Sequence, residues 1–283
     1  MRRAINNKLL MVLLCMAFSL VSCSSLSYTN KSSLPPPFEL GGHGQLFRPY
    51  RVLVAGDSLS ASLGPQMKRG LEGYAGLEII PIGKSSTGLC RPDFYNWPEV
   101  LEKNLQTYHP NLVFMWVGTN DDQNIHGMSN LGEPPYSPAW KRAYMRKMLE
   151  IITICKRHRA KLVFITPPVM PDGAFNNKLA EIDSVMLYVC GHYKVEAIDG
   201  RKLLTDGQGK FVREMKLPDG TTATVRTPDT VHITEAGNRI IMQRAILPHL
   251  YFHIYGSVPS KTGGRRGVVP TNRRGGASIS GGR

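Results

Sequence analysis

Three short stretches carry residue types and spacings that suit acyl chemistry. In "RVLVAGDSLS", residues 51–60, the apolar run Val52 to Ala55 meets Gly56, Asp57 and Ser58. Those three types are turn formers and helix N-caps, yet a serine at the end of a buried strand is also a nucleophile held out for reaction. A serine hydroxyl attacks a carbonyl once a base takes its proton, and an imidazole serves as that base when a third group orients it. "TPDTVHITEAG", residues 227–237, sets Asp229 three positions before His232 and just ahead of a helix expected to begin at Thr234. On a loop, that spacing lets the Asp229 carboxylate reach one side of the His232 ring and leaves the other side for Ser58. An oxyanion formed in the attack needs N–H donors, and losing one typically costs roughly 100- to 1000-fold in rate. The main-chain N–H of Ser58, the amide of Asn120 in "GTND" (118–121) and a backbone N–H from "GKSSTG" (83–88) are the candidates. Asp57 and Asp121 read as braces for their loops.

These groups must be brought together by the elements around them. From residue 51 the chain alternates short apolar strands ("RVLVAG", "LEIIPIG", "NLVFMWVG", "KLVFITPPV", "VEAIDG") with helical stretches. The helices are read over 62–74, 96–108, 137–158, 177–193 and from 234 to 250. Pro98 sits early in the second, where a missing N–H is harmless, and Ser137 reads as the cap of the third. "NLVFMWVG" is apolar on both faces and is therefore placed centrally. Asp219-Gly220 marks a hairpin turn. Strands alternating with helices imply a parallel sheet covered on both faces, whose ligands bind beyond the carboxyl ends of the strands. Ser58, the 83–88 loop and Asn120 follow strands one, two and three, so all three fall on one sheet edge.

In that order, "GDSL" (56–59), "GTND" (118–121) and "DTVH" (229–232) resemble blocks one, three and five of the SGNH (GDSL-type) hydrolases over about residues 50 to 255. "STGLCRPDFYNWP" resembles an exported bacterial branch of that superfamily without a defined substrate. The resemblance implies an α/β class, a three-layer α/β/α sandwich with a five-stranded parallel sheet (the flavodoxin-like SGNH hydrolase fold). It implies Ser58 as nucleophile, His232 as base, Asp229 as the orienting acid and Asn120 as an oxyanion donor. Block two of the family offers a glycine N–H. Aligning the end of strand two puts Ser86 there, flanked by Gly83 and Gly88, so Ser86 is favoured and Gly88 kept as the alternative. No metal or cofactor is expected, and no Cys/His spacing points to a metal.

The ends of the chain bear on location. Arg2, Arg3 and Lys8 precede an apolar run from Leu9 to Val21, too short for a span of about 20 residues and suited to a signal peptide. Leu20-Val21-Ser22-Cys23 resembles a lipobox, so residues 1–22 are expected to be cleaved and Cys23 to be acylated, a membrane anchor without a spanning helix. Residues 23–49, with Pro35-Pro36-Pro37, read as a tether, 50–257 as the hydrolase domain and 258–283 as a basic, disordered tail. Of the formal charge of +14, three belong to the signal and six to residues 261–283, leaving +5 for the remainder. Cys90, Cys155 and Cys190 remain after export; they form no disulfide framework, and one bridge at most is possible. The other histidines (43, 109, 126, 158, 192, 249 and 253) show no partner pattern and read as surface or packing residues. Residues 122–140 form a candidate substrate wall, and Trp97, Trp116 and Trp140 either stack sugars or, more simply, pack the core.

The expected protein is a lipid-anchored cell-envelope esterase facing the periplasm, acting on acyl esters, O-acetyl groups of wall or exported glycans foremost. No nucleic-acid partner is expected, and oligomeric state is not legible. Two alternatives use the same residues differently: an acyltransferase that passes acetyl to a glycan hydroxyl, and a non-catalytic envelope-binding lipoprotein that works through its tail.

Overall fold

β-Branched and aromatic runs bounded by glycine and proline form the strands. In the computed structural model, which describes residues 49–256 apart from 75, 129–133, 172 and 218, they are β1 (Tyr50–Gly56), β2 (Leu77–Pro81), β3 (Leu112–Trp116), β4 (Lys161–Ile165) and β5 (Glu196–Ile198). All pair in parallel, in the order β2-β1-β3-β4-β5. β3 is central and all five of its residues are buried, as its two apolar faces require. The expected signal peptide, the acylated Cys23, the tether (Pro49 apart) and the basic tail lie outside the described residues. Among those residues no helix is long and apolar enough to cross a membrane.

Alternate strand residues feed two cores. Leu53, Ala55, Val113, Met115 and Phe164 pack under α2 (Trp97–Tyr108), α3 (Pro138–Arg157) and α4 (Gly173–Tyr193). Val52, Val54, Leu112, Phe114, Trp116 and Val163 face α1 (Ser58–Gly70), α5 (Glu235–Ile241) and α6 (Leu247–Tyr255) on the other side. The result is the expected three-layer α/β/α sandwich with a five-stranded parallel sheet. Each large apolar side chain taken out of water contributes roughly 1.5–3 kcal/mol, so the sheet edge that bears the polar loops rests on a rigid base.

Several expectations need correction. The first helix begins at Ser58, not near 62, because Asp57 caps it by accepting from the Leu59 N–H at 2.9 Å. The last helix runs to Tyr255 and is interrupted by a π turn, Met242–Ile246, between α5 and α6. Trp97, Trp116 and Trp140 are all buried and make no sugar-stacking wall. Their indole N–H groups donate to Thr87 Oγ1 (3.0 Å), the Thr166 carbonyl (3.1 Å) and the Gln123 carbonyl (2.9 Å). Four of the other histidines do have carboxylate partners, His126 with Asp93 among them. His158 Nε2 lies 2.6 Å from Glu102 Oε1, and His249 and His253 both contact the Glu196 carboxylate at 3.1 Å. Glu196 opens β5, so that cluster sits at the amino end of the sheet, away from Ser58. The three described cysteines are buried free thiols. The hairpin around Gly220 forms as β6 (Glu214–Lys216) and β7 (Thr222–Thr224).

Candidate active site

Ser58 is held where strand, turn and helix meet. Gly56 has φ +126°, and a Cβ there would overlap the Trp116 carbonyl of β3, so only glycine lets β1 turn this close to its neighbour. The Asp57 N–H donates to that carbonyl at 2.8 Å. Asp57 is fully buried: one carboxylate oxygen accepts from the Leu59 N–H, the other from the Thr119 N–H at 3.3 Å. It thus joins the residue after Ser58 to the residue before Asn120. Burial pushes its carboxyl up to about 7, against the pull of those two N–H groups. Ser58 itself is the first residue of α1, at the positive end of the helix dipole.

The second half of the site is a tight hairpin between β7 and α5. Arg226 and Ile233 bridge, the Thr227 N–H donates to the His232 carbonyl (3.0 Å), and the Thr230 N–H closes the turn on the Thr227 carbonyl (2.9 Å). Thr230 takes φ +65°, an uncommon choice for a β-branched residue. Within this hairpin Asp229 Oδ1 accepts from the Thr227 hydroxyl (2.5 Å) and from the N–H groups of Val231 and His232 (3.0 Å each). Asp229 Oδ2 meets His232 Nδ1 at 2.7 Å, and His232 Nε2 meets Ser58 Oγ at 3.0 Å. The Thr227 hydroxyl foremost, then the His232 ring, hold the Asp229 carboxyl far below its ordinary value. Asp229 and His232 nevertheless stand open, with side chains 52% and 44% exposed. The two halves are fastened by Gln66 Nε2 donating to the Glu235 carbonyl (2.7 Å) and Asn238 Nδ2 donating to Ser62 Oγ (2.8 Å), which tie the helix behind Ser58 to the helix behind His232.

The remaining predicted residues line the same edge. Asn120 Nδ2 gives one hydrogen to the Thr87 carbonyl at 2.9 Å, which orients the amide and leaves its second hydrogen free of that bond. Ser86 sits exposed in a left-handed turn, φ +63°, beside Thr87. Gly88 has a packing reason of its own: a Cβ there would overlap the Asp121 carboxylate. Asp121 is buried, accepting from the Cys90 N–H (2.8 Å) and the Tyr144 hydroxyl (2.9 Å). Cys90 is buried next to it, and burial with that neighbouring carboxylate drives its thiol far above the ordinary range, so it stays neutral. In the 122–140 segment, Asp122 pairs with Tyr136 and with Lys178, and the His126 ring lies 3.5 Å from Asp93.

The model of the family described as "Protein of unknown function (DUF459)" matches residues 51–247. The chain belongs to that family. For this DUF459 chain, no curated relative matches. Among solved structures, a "putative acylhydrolase" from Bacteroides fragilis NCTC 9343 aligns with a TM-score of 0.51 and 16% identity, over 72% of this chain and 89% of that one. A carbohydrate acetylesterase family member from Sinorhizobium meliloti aligns at 0.48 and 15% identity, over 72% and 99%. Esterase EstA from a Pseudoalteromonas species aligns at 0.47 and 14%, over 73% and 97%. At such identities the likeness to the first of these speaks to the fold alone, the α/β sandwich with its five-stranded parallel sheet.

Two further residues position the site, and only one of them leaves a local mark in the sequence. Thr227 supports Asp229 from two residues upstream, a local pattern that the T-x-D spacing could have suggested. Arg226 sits fully buried under the hairpin, where a lone arginine in a polar stretch gives no warning of burial.

Proposed function

We propose that this protein is a serine esterase of the cell envelope, hydrolysing acyl esters, O-acetyl groups on wall or exported glycans foremost. The observation that carries the reading is the unbroken contact from Ser58 Oγ through the His232 ring to the Asp229 carboxylate, 3.0 and 2.7 Å. In the proposed reaction Ser58 Oγ attacks the ester carbonyl carbon while its proton passes to His232 Nε2. Asp229 holds the ring by Nδ1 and stabilises the imidazolium. The oxyanion is received by the N–H groups of Ser58 and Ser86 and by the free hydrogen of Asn120 Nδ2. Collapse expels the alcohol, which takes the proton from Nε2 and leaves an acyl-Ser58. Water then attacks with His232 again as base, and the carboxylic acid departs. The half-exposed base and acid favour an ester presented on a bulky chain over one that must be enclosed. The lipobox-like Leu20–Cys23 segment supports the location.

The test is hydrolysis of 4-nitrophenyl acetate. Wild type is expected to turn over and Ser58→Ala to lose at least about 1000-fold in kcat; equal turnover would refute the assignment. Incorporation of labelled palmitate into the wild-type chain and not into Cys23→Ala would support the anchor.

A further inference from the structure

Arg226 is the anomaly of the molecule. Its side chain is fully buried, yet no carboxylate pairs with it among the described residues, and its Nε has no hydrogen-bond partner. Burial alone pulls its guanidinium down to about 10. The ring of Phe211 lies 5.4 Å from Cζ. A buried cation without an acid is costly. What arginine alone supplies is a rigid fork of donors. One arm donates to the Val231 carbonyl at 3.1 Å, the other to the buried Val169 carbonyl at 3.0 Å. Val169 lies in the loop after β4; Val231 precedes His232.

The consequence is a peptide plane held from both sides. The carbonyl of the Val231–His232 peptide is taken by Arg226, and its N–H is taken by Asp229 Oδ1 at 3.0 Å. Since the peptide unit is planar and stiff, both contacts together fix the plane before the His232 Cα, and the Thr227 N–H on the His232 carbonyl (3.0 Å) fixes the plane after it; held on both sides, the Cα sets the direction in which the ring leaves the backbone. Asp229 also grips the ring, but from an exposed position on the same hairpin. Arg226 is the member of this set that refers the hairpin to the sheet, through the loop after β4.

We propose that Arg226 is a positioning residue for His232: it clamps the peptide that carries the base and pins the hairpin to the loop after β4. This rests on the reading of Ser58 and His232 given above. A misplacement of the base by about 1 Å costs on the order of 100-fold in rate without touching substrate binding.

The test uses the full-length chain with Arg226→Met and Arg226→Lys, against wild type and Ser58→Ala. Three quantities are read: the melting temperature, kcat and KM for 4-nitrophenyl acetate, and the rate at which a fluorophosphonate labels Ser58 with loss of fluoride. Arg226→Met, which leaves the buried Val169 carbonyl without its donor, is expected to lower the melting temperature by a few degrees while remaining folded at 25 °C, hold KM within about 3-fold, and lose about 10- to 100-fold in both kcat and labelling rate. Arg226→Lys, with one compact donor head, should recover part of that loss. Wild-type kcat in Arg226→Met overturns the proposal. So does a loss of activity in both variants no greater than the loss of folded protein at 25 °C, which would make Arg226 a residue of the fold alone. If Ser58→Ala is inactive while Arg226→Met is not, only this inference falls. If wild type neither hydrolyses the ester nor takes the label, both readings fall.

Discussion

Asp57 adjoins Ser58 in sequence but serves the backbone, holding the Leu59 and Thr119 N–H groups from a fully buried carboxyl group. With its carboxyl raised to about 7 from 3.8, the folded chain keeps a proton over an interval in which the unfolded chain has released it. The stability that proton lends is complete below about pH 4 and is lost as pH rises to about 7, the reverse of the usual acidic case. Asp57→Asn has no such group. The melting temperature of wild type minus that of the variant should therefore fall between pH 4 and 7 and level off above. Parallel melting curves across that range would remove the argument. The residues of the catalytic reading were legible because each is announced locally: a polar cluster at a strand end, or an acid three places before a histidine. Arg226 was not, since its partner Val169 lies 57 residues away and only folding brings them together. The pairing of Glu196 with His249 and His253, across 53 and 57 residues, was hidden for the same reason.

Among the elements, the hairpin and the helix after it are joined to β7 through Thr234. Its hydroxyl caps α5 by accepting from the Gly237 N–H (3.1 Å) and donates to the Thr224 carbonyl of β7 (2.7 Å). Thr234→Ala is expected to destabilise by about 1 kcal/mol, read as a drop of roughly 2–4 °C in melting temperature. Gly56→Ala meets a harder obstacle, the Trp116 carbonyl together with φ +126°. It should lower the melting temperature well beyond Thr234→Ala, because the clash is with backbone. Strand and helix order could be read from apolar runs and their punctuation, as for β3 with its doubly apolar face. Boundaries were less legible: the Asp57 cap moves the first helix forward to Ser58, and the π turn at Met242–Ile246 leaves no mark in the hydrophobic period.

Over the whole molecule, charge is distributed unevenly along the chain: residues 261–283 contain six basic residues and no acid. Deleting that stretch should weaken adsorption to anionic wall polymer at low salt and leave kcat for 4-nitrophenyl acetate unchanged, with the difference vanishing as salt rises. Binding that survives the deletion at low salt would place the adhesive surface elsewhere. In the proposed reaction, the openness of Asp229 and His232 has a further consequence for the fate of the covalent acyl group. A base in contact with bulk solvent is never short of a hydroxylic acceptor at 55 molar, so free acid should dominate the product ratio even when sugar is abundant, and a synthetic outcome would demand a glycan that dries the cleft as it docks.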